Sequence, residues 1–254
     1  MSSIADNITT TLTRIRDAEQ VAGRSSESVT LLAVSKTKPV ALLREAYAAG
    51  QRHFGENYLQ DALPKIEQLA ELDICWHFIG PLQSNKSRSV AEYFDWFHSL
   101  DRLKIAQRLS EQRPQERAPL NVCIQINISA EASKSGVLPE QAAELVQQVQ
   151  QLPRLRLCGL MAIPSASLDD AGQRQAFAQM RELFKQLKPL APQMDTLSMG
   201  MSGDLEVAVA EGSTLVRIGT AIFGARDYSL GSARVTIKHD DQQQGLTGES
   251  YRKQ

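Results

Sequence analysis

The sequence predicts an α/β protein built as a single (β/α)8 TIM-type barrel with an additional N-terminal helix. Three observations carry that expectation. Short apolar runs alternate with amphipathic helical stretches about eight times along the chain. The runs are apolar throughout rather than alternating, as in parallel strands buried on both faces. The first run ends in Ser35-Lys36-Thr37 and lacks the glycine fingerprint that opens a doubly wound sheet.

Residues 3–23 place Ile4, Ile8, Leu12, Ile15 and Ala18 three and four apart, one stripe of a helix that Gly23 stops. Residues 31–37 form the first strand. Pro39 suits the first turn of a helix that runs through Leu42, Leu43, Ala46 and Tyr47 to Gly50. The unit then repeats. His53–Glu56 is a short strand followed by helical spacing at Leu63, Ile66 and Leu69. Residues 74–80 form the third strand, with a weaker helix over 84–93, and Trp96–Leu100 is the fourth, with Asp101 as N-cap of the next helix. Residues 121–128 form the fifth strand. After a polar loop through Lys134, Pro139 opens a helix with Ala142, Leu145, Val146, Val149 and Leu152 on one face. Residues 157–163 are the sixth strand, and Phe177, Met180, Leu183, Phe184 and Leu187 mark the helix after it. The seventh strand, 196–199, leads through Gly200 and Gly203 to a short helix capped by Asp204. Leu215–Ile218 is the eighth, running into Gly219 and Thr220. No linker divides the chain. Residues 1–228 read as the barrel and 229–254 as a polar, flexible tail.

A length of 254 residues, with 42% hydrophobic and 22% charged, suits one such domain. A net charge of -1 supplies no basic field for nucleic acid. Cys75, Cys123 and Cys158 are dispersed in apolar stretches without a CxxC pair, and the N-terminus carries no signal peptide. Both point to a reducing, cytoplasmic setting. No apolar run approaches the roughly 20 residues of a membrane span.

In this fold, chemistry sits at the C-terminal ends of the strands. Those positions hold Lys36, Glu56, Asn57, His77, Gly80, Ser99, Asn127, Met161, residues 198–202 and residues 217–220. Lys36 stands at the rim of a core, where desolvation disfavours the charged ammonium, and a neutral amine forms a Schiff base with a carbonyl. A strand-end lysine reaching water is the equal alternative. Gly200, Ser202 and Gly203 precede a short helix, and Gly219 and Thr220 follow the neighbouring strand. Together they suit a phosphate. Arg217 lies within a strand, and a buried arginine is costly unless it meets a ligand or a carboxylate. An aldehyde-reactive lysine, a phosphate cradle and an interior arginine suit pyridoxal 5'-phosphate (PLP). An arginine at the pyridine nitrogen would disfavour its protonation and weaken the ring as an electron sink.

Ala33-Val-Ser-Lys-Thr37, Phe54-Gly-Glu-Asn-Tyr58, Trp76-His-Phe-Ile-Gly80, Ser198-Met-Gly-Met-Ser202 with Asp204, and Arg217-Ile-Gly-Thr220 with Phe223-Gly224 form an ordered set. In that set the chain resembles the PLP homeostasis proteins, the YggS/PROSC family, which share the fold of the N-terminal domain of bacterial alanine racemase. The resemblance covers residues from about 5 to 228. It implies that Lys36 carries PLP covalently, that Arg217 faces the pyridine nitrogen, and that Ser202, Gly219 and Thr220 lie near the phosphate. Asn57 and Met199 would lie near the cofactor.

A racemase needs an acid/base on each face of the carbanion, and alanine racemases bring the second from a C-terminal domain of the partner subunit. The chain ends soon after the eighth strand, and Tyr58, Tyr228 and Tyr251 are not placed at the barrel mouth. The expectation is therefore a monomeric, non-enzymatic PLP carrier that buffers the cofactor or delivers it to PLP-requiring apo-enzymes. A PLP-dependent racemase-like enzyme is the alternative, and a cofactor-free Schiff-base aldolase acting on a phosphosugar is a further one. His53, His77, His98 and His239 show no metal-binding spacing and read as structural or surface residues, and the cysteines as buried hydrophobes. Glu56 reads as a general base or a loop partner, and Lys38 and Lys134 as surface lysines rather than holders of anions or of a second PLP.

Overall fold

Ser3 and Asp6 open the first helix with a reciprocal capping box, which satisfies the first free N–H groups. That helix, α1, spans Ile4–Val21 in the computed structural model, which describes residues 2–129, 131, 135–165 and 168–225. Lys134, Tyr228, His239, Tyr251 and the predicted tail 229–254 lie outside the described residues. Of the predicted stripe, Ile4, Ile8, Ile15 and Ala18 are buried together with Thr11 and Glu19, while Leu12 is half-buried against the core.

Strands and helices then alternate as β1 (Thr30–Val34), α2 (Val40–Ala48), β2 (His53–Glu56), α3 (Leu59–Gln68), β3 (Cys75–Phe78), α4 (Ser87–Tyr93), β4 (Trp96–Leu100) and α5 (Leu103–Gln112). The second half continues with β5 (Leu120–Ile126), α6 (Ala142–Val149), β6 (Leu155–Ala162), α7 (Asp170–Leu187), β7 (Thr196–Ser198), α8 (Leu205–Ala210), β8 (Leu215–Ile218) and α9 (Thr220–Phe223). The eight strands pair in parallel in chain order, and β8 returns to β1 with Leu32 beside Arg217, closing the barrel. The predicted TIM-type barrel with its extra N-terminal helix is therefore the observed fold. Among the described residues, no helix is long and apolar enough to cross a membrane.

Alternate residues on each strand face opposite ways. Phe54, Phe78 and Phe97 face outward into the shell under the helices and are at most 2% exposed. Burying each such ring stabilises the fold by about 1.5–3 kcal/mol. Inward positions differ. A Cβ on Gly55 would touch Leu32 and Ile79 side chains at 3.3–3.4 Å, so these three positions meet inside the barrel. Next to them stand His77, His98, Ser198 and Arg217, all buried. Barrel interiors are usually filled by branched aliphatics, so this polar centre is a departure. At the β6–β7 junction, a Cβ on Gly159 would come within 1.8 Å of the Thr196 carbonyl oxygen, and only glycine fits.

Some predicted boundaries shift. β1 stops at Val34, and Ser35 to Thr37 form a turn rather than strand. Asp101 does not cap α5. Arg102 takes the N-cap position without a side-chain bond, and Asp101, one residue too early, pairs with Arg102. Asp204 holds the N-cap position of α8, yet its carboxylate accepts from the Met201 N–H and stabilises the preceding loop instead. Residues 84–86 and 139–141 form 3-10 turns ahead of α4 and α6. Cys123 and Cys158 are buried as expected, whereas Cys75 is half-buried.

Candidate functional site

The turn that carries Lys36 is fixed by three other charged or polar side chains. Ser35 is fully buried, and its Oγ donates to Glu56 Oε1 at 2.6 Å, at the end of the neighbouring strand β2. Lys65 reaches in from α3. Its Nζ donates at 2.9 Å to Glu56 Oε1, to the Ser35 carbonyl and to Asp61 Oδ2. Asp61 in turn accepts the Thr37 N–H at 2.7 Å. Thr37 has φ 62°, a left-handed conformation that a β-branched residue adopts only when its surroundings impose it. Lys36, half-buried, is thus presented from a clamped turn. Burial raises the Glu56 carboxyl above its ordinary pKa, although Lys65 and Ser35 pull it down, and among the described residues its Oε2 has no partner. Glu56 is therefore a loop partner rather than a free general base. Sequence reasoning missed Lys65 and Asp61.

Arg217 is 5% exposed and faces the barrel interior from β8. Its NH1 donates to the Ser198 carbonyl at 2.6 Å and to Ser198 Oγ at 2.9 Å, and its NH2 to the Ala162 carbonyl at 2.9 Å. Among the described residues it makes no ion pair, so carbonyls and a hydroxyl take the role expected of a carboxylate. Burial brings the guanidinium down to about 10, which leaves it charged at neutral pH. Ser198 Oγ lies 2.9 Å from His98 Nδ1, His98 Nε2 lies 2.9 Å from His77 Nδ1, and His77 Nε2 lies 3.0 Å from His53 Nδ1. A hydrogen-bonded column thus runs through the barrel from Arg217 to its N-terminal end. Burial depresses His77 strongly and His98 to about 3, so both rings are neutral. The expectation of structural or surface histidines did not anticipate this alignment.

The loops after β7 and β8 carry the residues expected at a phosphate. Met199 is fully buried. Gly200 has φ +96°, and a Cβ there would lie 2.6 Å from that of Ala208. Its carbonyl accepts from the Arg217 N–H at 2.9 Å, which ties the loop after β7 to strand β8. Ser202 is half-buried, and its carbonyl accepts from Arg14 of α1 at 3.2 Å. Gly219 packs close to the Val34 carbonyl, next to the Lys36 turn, and Thr220 beside it is exposed. Lys38 is not a bare surface lysine: its Nζ donates to the carbonyls of Phe223, Gly224 and Ala225 at 2.8–3.1 Å, closing the end of α9.

Asn57 follows β2. Its backbone is met so closely by Gly80 that a Cβ on Gly80 would lie 2.1 Å from the Asn57 carbonyl oxygen. Among the described residues its side-chain Oδ1 is buried without a partner, an unusual state for a buried acceptor. A cavity of about 240 Å³ opens beside it, lined by Ile79, Ser99, Gln125 and Asn127 among others. Asn57, Lys36, residues 219–220 and residues 199–202 follow β2, β1, β8 and β7, four consecutive staves at one end of the barrel, with Arg217 near the end of β8.

Residues 11–227 match the family model described as alanine racemase, N-terminal domain. A pyridoxal phosphate homeostasis protein of Pseudomonas aeruginosa is 63% identical over 228 residues, 90% of this chain and 98% of that protein. One from Escherichia coli K12 is 57% identical over 232 residues, 90% and 99% of the two chains. The structure of PipY of Synechococcus elongatus with PLP bound is 39% identical, with a TM-score of 0.75 over 87% of this chain and all of PipY. By sequence and by fold, this chain belongs to the family of pyridoxal phosphate homeostasis proteins, built on the alanine racemase N-terminal domain.

Proposed function

We propose that the barrel holds PLP covalently on Lys36 and buffers it or delivers it to PLP-requiring apo-enzymes. It does so as a cytoplasmic monomer and without a catalytic cycle of its own. The observation that carries this reading is the pairing of β1 with β8, Leu32 beside Arg217. It sets a locked guanidinium on the strand next to the one that presents Lys36. When bound, PLP supplies an aldehyde that an amine takes up reversibly and a pyridine ring able to accept electrons.

The residues present fit that group. Lys36 supplies the amine. Ser202, Gly219 and Thr220 would hold the phosphate with two hydroxyls and backbone N–H groups. Asn57, whose buried Oδ1 has no partner among the described residues, and Met199 would lie near the ring. Arg217 has only donors to offer, so a nitrogen facing it keeps its lone pair unprotonated. The named lining of the adjacent cavity is amide, hydroxyl and aliphatic, groups that do not exchange protons near neutral pH. That chemistry supports holding the cofactor over turning an amino acid over. The homeostasis proteins and PLP-bound PipY support the same reading.

A visible spectrum and an intact mass after borohydride reduction test it. The expected result is a yellow protein with one PLP-sized adduct on Lys36, both lost in Lys36→Ala. Absence of the adduct overturns the attachment. Sustained amino-acid turnover that disappears in Lys36→Ala overturns the carrier role in favour of a racemase-like enzyme.

A further inference from the structure

At the opposite, N-terminal end of the barrel, three ligand-bearing side chains converge away from the Lys36 site. Cys75 and His77 are two residues apart on β3 and so face the same way. The strand register sets His53 of β2 directly beside Cys75. One ligand atom from each of the three lies within 4.8 Å of the others. His53 Nδ1 is 3.0 Å and Cys75 Sγ 3.4 Å from His77 Nε2. We propose that His53, Cys75 and His77 bind one zinc ion at the base of the barrel.

The distances fit. Zinc with metal–nitrogen lengths of about 2.0–2.1 Å and a metal–sulfur length of about 2.3 Å separates tetrahedral ligand atoms by about 3.3–3.6 Å. Widening the His53–His77 contact by a few tenths of an ångström, with the His53 and Cys75 ligand atoms, now within 4.8 Å, drawn to the same spacing, admits the ion. The donor set decides its class. Two imidazoles and a thiolate, without a carboxylate, select a borderline-soft cation over magnesium or calcium. A cavity of about 290 Å³ bordered by His53, His77, Thr30 and Trp96 leaves room for water at the fourth position.

The surrounding bonds also suit coordination. A metal-binding imidazole offers one nitrogen to the ion and holds its proton on the other, against a fixed acceptor. His77 meets that requirement, because Nδ1 faces His98 Nε2 at 2.9 Å while Nε2 faces Cys75 and His53. His98 then donates from Nδ1 to Ser198 Oγ. Coordination forms bonds from His53 Nδ1, His77 Nε2 and Cys75 Sγ, releases the thiol proton to solvent, and leaves each imidazole neutral.

The test needs nothing of the pyridoxal reading. The full-length protein is titrated with Zn²⁺ against a chromophoric chelator and with Co²⁺ as an optical probe, while proton release is recorded. The expected result is one Zn²⁺ and one released proton per chain, with a sulfur-to-metal charge-transfer band for Co²⁺. Cys75→Ala abolishes the band, and Cys75→Ala and His53→Ala each weaken Zn²⁺ binding by about tenfold or more. Cys75→Ser, nearly isosteric, loses the band too and guards against a folding defect. No stoichiometric binding, or Zn²⁺ affinity unchanged in both Cys75→Ala and His53→Ala, overturns the proposal.

Discussion

The two ends of β1 are held by the same device with opposite outcomes. At the entrance, Glu27 takes a left-handed φ of 65°, and buried Glu19 of α1 clamps it. Glu19 accepts from the N–H groups of Glu27 and Val29, from Ser28 Oγ and from Arg16, so both its oxygens are satisfied. At the exit, Thr37 takes φ 62°, and buried Glu56 sits in the clamp with Lys65 and Asp61. There one carboxylate oxygen takes two donors and, among the described residues, the other takes none. For both carboxylates burial is the largest influence and raises the pKa. At Glu19, Arg16 and the Val29 and Glu27 amides outweigh it and the value falls, while at Glu56 burial prevails and the value rises. A saturated clamp reads as scaffold. A clamp left partly unsatisfied beside a presented lysine reads as a place where stability yields to function.

The largest expected effect comes from breaking the exit clamp. Lys65→Met removes the cation from a pair in which Glu56 is fully buried and Lys65 is 4% exposed. Stranding a buried charge in this way costs about 3–5 kcal/mol, read as a fall in the urea midpoint. It also frees the Ser35 carbonyl, so PLP titration should show weaker binding than wild type. Unchanged binding in a folded Lys65→Met protein would mean that the clamp serves stability alone, and the contrast between the two ends would collapse.

A pH series sharpens the comparison at intermediate cost. The folded-state pKa of Glu19 is lowered, so its contribution is whole above the ordinary carboxylate range and is lost as pH falls through the folded value. Glu19→Gln should therefore cost about 1.5–3 kcal/mol near neutrality, and the deficit should shrink in acid. Glu56 is raised, so its contribution is whole below the ordinary range and is lost as pH rises through the folded value. Glu56→Gln should gain on wild type as pH rises. Unfolding midpoints across that range should give difference curves of opposite slope, and slopes of one sign would place both clamps in one class.

Only part of this was legible in the sequence. Lys36, Arg217 and the glycines at 200 and 219 stand out because they interrupt or end apolar runs, where a polar residue needs a reason. The clamps give no such signal. Lys65 and Asp61 read as an ordinary i,i+4 surface pair on a helix, and Glu19 as one more charge beside an apolar stripe. Their partners are set by how α1 and α3 pack on the barrel. The histidine column was hidden for another reason: strands buried on both faces show no polar–apolar alternation, so nothing local separates inward His77 from outward Phe78. The spacing Cys75-x-His77 on one strand and Trp96-x-His98 on the next was the available clue.

The smallest effect addresses the backbone itself. A non-glycine residue in the left-handed region costs about 1–2 kcal/mol, and glycine removes that strain while adding roughly 0.5–1 kcal/mol of unfolded-state entropy. Glu27→Gly should therefore stabilise by about 1 kcal/mol or less, with PLP binding unchanged, because Glu19 keeps the Val29 N–H and Ser28 Oγ. Thr37→Gly relieves a β-branched residue, for which this conformation is rarer still, so its unfolding midpoint should rise at least as much. Its PLP affinity should fall, because glycine lets the turn sample other conformations and Lys36 is presented less often in the clamped one. Paired measurements of unfolding midpoint and PLP titration read both. If Thr37→Gly gains stability and keeps full affinity, the strain at the β1 exit serves no function, and the two ends of the strand differ only in how well their carboxylates are paired.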